Sequence, residues 1–477
     1  MPTKYSTKYP DFASWLVVTL FGVSVVLMWL PALNTPFWGD DYVFLSAAHA
    51  TNLTPAPWWS DFWPSTSLKF WRPLSQEAYW RLIDALLHGN AYATHVMSLS
   101  LHVLASMGVA LLAFVTARAR QWSRPRMTAV LAGMVYAGLA MHILPVHWAA
   151  AANNSLLTLF TTLCLTAWIY SAETEGLRRV LLLASIPLWL MLALLTKESA
   201  VLTVALMLIM RLFTGQRLAG RTELITLIVC ATVTAIWLVL HAQFTAGTDA
   251  AYRLTLGANL VRNAVAFAAW MANIPREAVR MASDGAWLRA LAWMAATAIP
   301  MLVASTIAFW SGRSRLGPSQ WLAIVLFAGI AYGPYFLLSW NSYAYYAAIA
   351  AILPAIALAH CSIDNPRLPI ILALLALSSW VAVTGTRQLD HPGLIGRARW
   401  AESMLQDLQH RQVDEPLWVA VHDDHRFYAV GTAGLAWRLN LPAGSIHVGE
   451  HCPADAAQCL RIDDDGRWQL LAGSSKP

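Results

Sequence analysis

Two adjacent carboxylates, Asp40 and Asp41, sit in the run Phe37-Trp38-Gly39-Asp40-Asp41-Tyr42, directly after the first long apolar stretch. Such a pair has three chemical uses. One acid can accept a proton from an attacking hydroxyl. Two together can hold a divalent cation. A capping pair at the rim of a membrane helix is the structural alternative. Four further polar clusters punctuate the apolar sequence: Trp71-Arg72-Pro73-Leu74; His142 and Pro145-Val146-His147-Trp148 with Asn153-Asn154; Thr196-Lys197-Glu198-Ser199; and Trp340-Asn341-Ser342-Tyr343 through Tyr346. Arg72 and Lys197 are the cations suited to a phosphate, Arg because its fork can bind two oxygens at once. Their structural alternatives are an ion pair of Lys197 with Glu198 at a helix end and a snorkelling Arg72 beside Trp71. His147 can hydrogen-bond a phosphate or assist a base, or simply brace a helix end. Asn153 and Asn154 can read sugar hydroxyls or cap a helix, and Tyr343, Tyr345 and Tyr346 can line a groove or form an interfacial aromatic belt.

The elements that must position these residues are apolar helices. Of 477 residues, 58% are hydrophobic and only 12% are charged, about half the charged share of a soluble domain. Runs of about 18 or more apolar residues match the thickness of a bilayer core. Spanning segments must satisfy their own backbone, so they are expected to be helices. About eleven spans are expected, near 13–33, 92–116, 128–145, 150–170, 180–196, 199–213, 223–243, 286–309, 321–339, 344–360 and 368–386. The first is too long for a signal-peptide core and reads as a retained helix. Arg118, Arg120, Arg124 and Arg126, then Arg178 and Arg179, then Arg211, Arg217 and Arg221, then Arg313 and Arg315, then Arg367 fall in alternate connections. With Lys4 and Lys8 they mark the cytoplasmic side. That puts the amino terminus in the cytoplasm, and all five polar clusters and the carboxy-terminal tail outside. The net charge of +6 is a topology signal in short loops and does not indicate nucleic acid. Ionisable groups at membrane depth are costly, so clusters that all face one way suggest one site at the outer interface.

The chain divides into a transmembrane module, 1–386, and an extracytoplasmic domain, 387–477. The first outer loop, about 34–91, is rich in Trp and Pro and suits short interfacial helices. The segment 244–285, with Arg253, Arg262, Arg276 and Arg280, reads as a second interfacial or re-entrant region. The tail offers a helix near 397–412, a strand at 417–422, and Cys452 and Cys459, close enough for a disulfide in an oxidising compartment. His422-Asp423-Asp424-His425 reads as a solvated turn rather than a metal cluster. The fold class is therefore an all-α polytopic membrane protein with a small α/β domain outside.

The ordered set of clusters resembles the C-type (GT-C) polyprenyl-phosphate-dependent membrane glycosyltransferases, in particular the transmembrane O-mannosyltransferase branch and its bacterial relatives, without tetratricopeptide repeats. The resemblance runs from residue 37 to about 350 and leaves out the tail. It implies inverting transfer of a sugar from a polyprenyl-phosphate lipid, undecaprenyl phosphate in a bacterium, to a glycan, glycolipid or protein acceptor on the outer face of a plasma or inner membrane. Asp40 would be the base, with Asp41 second. Arg72, Lys197 and His147 would hold the donor phosphate, and Glu198, Asn153, Asn154, Tyr343, Tyr345 and Tyr346 the substrates. A divalent cation at Asp40 and Asp41 stays open. The competing class is a transporter or flippase of envelope glycoconjugates, which would need polar groups near the midplane between paired repeats.

Overall fold

The computed structural model describes residues 11–53, 57–63, 70–217, 220–244, 252–339, 343–389, 393–422 and 424–472. Lys4, Lys8, Trp340, Asn341, Ser342 and Asp423, used above, lie outside the described residues, as does the side chain of His425.

The helices are α1 (Asp11–Trp29), α2 (Asp40–Asn52), α3 (Tyr79–Leu87), α4 (Ala91–Ala119), α5 (Pro125–Ala137), α6 (Ile143–His147), α7 (Asn153–Ser171), α8 (Gly176–Thr196), α9 (Thr203–Thr214), α10 (Arg221–Phe244), α11 (Ala258–Met271) and α12 (Arg276–Ser283). They continue as α13 (Trp287–Gly312), α14 (Pro318–Phe336), α15 (Ile352–Ile363), α16 (Leu368–Gln388), α17 (Leu394–Gln409), α18 (Asp424–Phe427) and α19 (Gly431–Leu439).

Each expected span has a helix in its place. Among the described residues seven helices are long and apolar enough to cross a bilayer, or eight if α5 and α6, bent by 57° at their junction, form one broken span. The others fall short for physical reasons. The helices α9 and α15 are only 12 residues each. Helix α7 is long enough but carries Asn153, Asn154, Thr158, Thr161 and Thr162, all buried. It tolerates them because it packs against α4, α8 and α9 inside the bundle. Its threonines also return their hydroxyls to the helix's own carbonyls, as Thr158 does to Asn154 and Thr162 to Thr158. The outer helices instead turn Leu16, Leu20, Ile228, Val239, Leu291 and Leu302 outward, the face expected against lipid tails.

Ends of these helices place the polar clusters. Asn90 caps α4 by accepting the Ala93 N–H at 3.0 Å. Helix α8 stops at Thr196, where Lys197 is extended (φ −162°, ψ 140°) before a 3-10 turn over Glu198–Leu202. A π-helical turn, Pro73–Ala78, follows Arg72, and the Ser75 hydroxyl donates to the Thr196 carbonyl at 2.7 Å, tying the two segments together. The segments 34–91 and 252–283 carry the short helices α2, α3, α11 and α12 expected of interfacial segments.

The tail forms α17–α19 and a four-stranded sheet of β1 (Leu417–Val421), β2 (Ile446–Gly449), β3 (Gln458–Ile462) and β4 (Trp468–Ala472), ordered β2-β1-β3-β4. Strand β1 is parallel to β2 and β3, and β4 closes the edge antiparallel. Cys452 and Cys459 are disulfide-bonded, with Cα atoms 5.8 Å apart. This α/β unit packs on the segment that follows α1: Trp437 meets His49 edge to face at 5.2 Å, and α19 lies against α2.

Candidate functional site

The acidic loop is fixed from three sides. Gly39, the residue before α2, has φ +58°, and a Cβ there would lie 3.1 Å from the Tyr428 ring; both facts favour glycine. Its N–H donates to the Ala429 carbonyl at 2.8 Å. Trp38 stacks on Trp148 at 4.7 Å, and Trp148 Nε1 donates to the Trp38 carbonyl at 3.2 Å.

The two acids have different surroundings. Asp41 is fully buried and accepts the backbone N–H groups of Trp38 (3.2 Å) and Ala150 (2.7 Å). Burial raises its carboxyl well above the usual range, while those bonds pull the other way. Asp41 therefore clamps the loop to the segment after α6. Asp40 is partly exposed and accepts the Tyr428 hydroxyl at 2.9 Å. Burial of the phenol and then the Asp40 charge push Tyr428 far above its ordinary value, so the phenol stays protonated and donates.

The cations gather where α8 ends. Arg72, almost fully buried, makes a two-pronged pair with Glu198: Nε to Oε2 at 2.8 Å and Nη2 to Oε1 at 2.5 Å. Glu198 keeps about a third of its side chain exposed. Burial alone would raise its carboxyl, but the Arg72 charge and hydrogen bonds outweigh that and bring it down to about 2. Lys197 is buried and donates to Asn154 Oδ1 at 2.7 Å. Its ammonium lies 5.0 Å from the ring centres of both Tyr345 and Tyr346. Burial and then the neighbouring Arg72 charge lower it to about 7, against the opposing pull of Glu198. A group this poised can gain a proton when an anion arrives.

Tyrosines link the acid to the cations. Tyr343 stacks on Tyr345 at 5.1 Å, and Tyr345 meets Tyr346 edge to face at 4.8 Å. Tyr252, whose hydroxyl burial pushes up to about 12, lies within electrostatic reach of Tyr343, Arg72, Asp40 and Glu198. Phe70 connects the same groups, with Arg72 4.3 Å above its ring and Tyr252 against its edge. Asp40, Arg72, Lys197, Glu198, Asn154 and the three tyrosines thus belong to one continuous region. Asn153 enters it indirectly, its Oδ1 accepting Asn154 Nδ2 at 2.7 Å.

His147 is placed elsewhere. It is 1% exposed, shares a 2.9 Å hydrogen bond with Thr35 Oγ1, and packs beside Trp29. The structure does not bring it to Arg72 and Lys197; it braces the chain just before the acidic loop. His142 is likewise buried, against His102 and Tyr136.

Tyr428 has no sequence signal, since 388 residues separate it from Asp40. Glu77 lies on the π-helical turn after Arg72, where burial and then Asp61 raise its carboxyl to about 7.

A divalent cation does not fit the acid pair, because both Asp41 oxygens face N–H donors, which repel a cation. Among the described residues no cluster of three or more His, Cys, Asp or Glu could hold a metal.

No protein-family model and no curated protein matches the sequence. Solved structures match in fold. ArnT from Cupriavidus metallidurans in the apo state superposes with a TM-score of 0.51 at 14% identity, over 91% of this chain and 86% of that one. ArnT from the same organism bound to undecaprenyl phosphate gives a TM-score of 0.53 at 13% identity, over 90% and 85%. At such identity the likeness speaks for the fold alone: this chain shares the architecture of these ArnT structures over about nine-tenths of its length.

Proposed function

We propose that this protein is an inverting membrane glycosyltransferase that moves a sugar from a polyprenyl-phosphate donor to an acceptor hydroxyl at the extracytoplasmic face. The observation that carries the reading is the chain of contacts from Asp40 to Tyr428, across the cavity that Tyr428 and Tyr343 line together, and through the Tyr343–Tyr345 stack to Lys197. A proton acceptor and a buried pair of cations with an aromatic floor between them suit displacement at an anomeric carbon. The ArnT fold, in one case with undecaprenyl phosphate bound, supports a lipid-phosphate donor.

In the proposed reaction the acceptor oxygen forms a bond to the anomeric carbon while the bond from that carbon to the phosphate oxygen breaks. Asp40 takes the hydroxyl proton. The departing lipid monophosphate gains negative charge, which Arg72 and protonated Lys197 stabilise. Glu198 holds the Arg72 fork in place, Asn154 aims Lys197, and the tyrosines wall the sugar. Asp41 and His147 keep the loop in position without touching substrate. The acceptor is a glycan, glycolipid or protein.

The test is the stereochemistry of the product. Purified protein is supplied with defined undecaprenyl-phosphate sugars of known anomeric configuration and a crude envelope acceptor extract, and the glycoside formed is read by NMR. Inversion is expected. Retention would remove Asp40 from the role of base, since a retaining path requires a second displacement.

A further inference from the structure

Three helices share an open groove of about 570 Å³ on the side of the bundle. Each contributes a stripe with helical spacing: 111–118 on α4, 163–170 on α7, and 178–185 on α8, continued at Trp189. Residues spaced three, four and seven apart share one helix face. Helix α7 packs against both neighbours and forms the floor. Apolar side chains dominate the groove, and Leu111 and Leu181 on its rims are exposed. Its charged groups gather at one end. There the α4 stripe finishes in Arg118 and the α7 stripe in Tyr170, while the α8 stripe starts at Arg178. This is the end of α8 away from Lys197, on the side of the arginine-rich connections.

The two arginines carry uncommitted charge. Other cations on this side are neutralised: Arg179 and Arg211 share Glu223, and Arg124 and Arg315 share Asp364. Among the described residues Arg178 has no carboxylate within ion-pair distance. Arg118 has only Glu173, at 3.9 Å, too far for a hydrogen bond. Both guanidiniums instead attend the Tyr170 ring, 6.0 and 4.9 Å from its centre, close enough for one headgroup to reach both. Farther along the groove, Thr166 is 8% exposed, and its hydroxyl has no hydrogen-bond partner among the described residues. It departs from Thr158 and Thr162, which return their hydroxyls to helix carbonyls. Thr166 lies four residues before Tyr170, about 6 Å deeper along the helix. A buried donor left unpaired is costly, and lipid tails cannot pair it.

Phosphate, then ester carbonyls, then two apolar chains is the order of groups in a glycerophospholipid. The groove offers partners in the same order: two arginines, a free hydroxyl, and an apolar trough. An anionic headgroup fits better than a zwitterionic one, because two positive charges meet it and only Glu173 stands near. Basic pockets between helices on the cytoplasmic side are where anionic lipid headgroups bind.

We propose that the groove binds one anionic glycerophospholipid from the leaflet on the arginine-rich side. Its phosphate lies between Arg118 and Arg178, an ester carbonyl accepts the Thr166 hydroxyl, and its chains run along Leu111, Leu181 and Trp189. The site is separate from the reaction proposed above and does not depend on it.

The full-length protein in neutral detergent is equilibrated with equal amounts of phosphatidylglycerol and phosphatidylcholine of identical chains. Bound lipid is then counted by native mass spectrometry. Phosphatidylglycerol is expected to be retained about tenfold or more over phosphatidylcholine, with a preference that weakens as salt rises. Arg118→Gln combined with Arg178→Gln should reduce the preference to about twofold or less. Leu181→Trp fills the groove, leaves both arginines in place, and should lower phosphatidylglycerol retention by about tenfold. Thr166→Val should lower it by about 2- to 5-fold through the lost hydrogen bond. If the glutamine pair does not fold, these two single variants decide. Equal retention of the two lipids by wild type would overturn the proposal. So would an unchanged preference in the folded glutamine pair, or unchanged retention in Leu181→Trp, which would leave only a charged surface. Displacement by excess inorganic phosphate would make this a site for a free anion. Displacement by undecaprenyl phosphate would assign the groove to a polyprenyl lipid. Either result would equally overturn the proposal.

Discussion

Replacing the two acids one at a time, Asp40→Asn and Asp41→Asn, should separate chemistry from architecture. Asp41 is fully buried, and each of its oxygens accepts one backbone N–H, at 3.2 and 2.7 Å. An amide at this position turns one acceptor into a donor. Either Trp38 or Ala150 then faces an NH2 group in a dry environment, which costs about 1–3 kcal/mol. Asp40 is partly exposed, and an asparagine oxygen can still accept from Tyr428. The loss of charge at the start of α2 costs only about 0.3–1 kcal/mol. Removing a general base, by contrast, slows turnover by about 10²–10⁴. The assay pairs thermal unfolding in one detergent with release of lipid phosphate from a polyprenyl-phosphate sugar. Asp40→Asn should melt close to wild type and be nearly inactive; Asp41→Asn should melt earlier and retain turnover in the folded fraction. If Asp41→Asn abolished turnover with an unchanged melting temperature, the division of labour argued above would be refuted.

Other outcomes follow from the same geometry. Arg72→Ala should weaken undecaprenyl phosphate binding by about 10- to 100-fold, since charge-assisted hydrogen bonds to the phosphate are lost, and titration of the lipid measures it. Lys197 binds an anion only as the ammonium, which burial and Arg72 lower to about 7. Donor affinity should therefore be flat at acidic pH and fall as pH rises beyond that value, by at most about tenfold per unit. Bound phosphate draws the midpoint upward, and Lys197→Arg should flatten the profile. Tyr428→Phe removes a charge-assisted hydrogen bond to Asp40, so kcat should drop by about 10- to 100-fold with the donor KM unchanged; a change in KM alone would contradict its positioning role. His147→Ala should lower the melting temperature through the lost Thr35 contact and leave donor affinity intact, as lipid titration on the folded protein would show.

The apolar periodicity made the helices legible because lipid imposes a rule on every spanning residue. The rule relaxes where a helix is enclosed by others: α7 hides its threonines among neighbouring helices, and α9 and α15 are short. The ionisable site residues stood out because Asp40, Arg72, Lys197 and Glu198 are expensive in an apolar chain. His147 was misplaced by the same logic, since a buried imidazole bonded to Thr35 looks in sequence like one bonded to phosphate. Tyr428 could not be found at all. Its contact with Asp40 depends on how the tail folds back over the first loop, and no local pattern encodes that.

The central claim is that Asp40, Arg72 and Lys197 serve one reaction on a lipid-phosphate-linked sugar. Its most direct test is release of undecaprenyl phosphate from undecaprenyl-phosphate-linked sugars by the purified protein with a crude envelope acceptor extract, comparing wild type with Asp40→Asn. Release by wild type from at least one donor, with the variant slower by about 10² or more, is the expected result. Equal release by the two proteins would contradict the account, as would release from no donor by a wild-type protein that still binds the lipid.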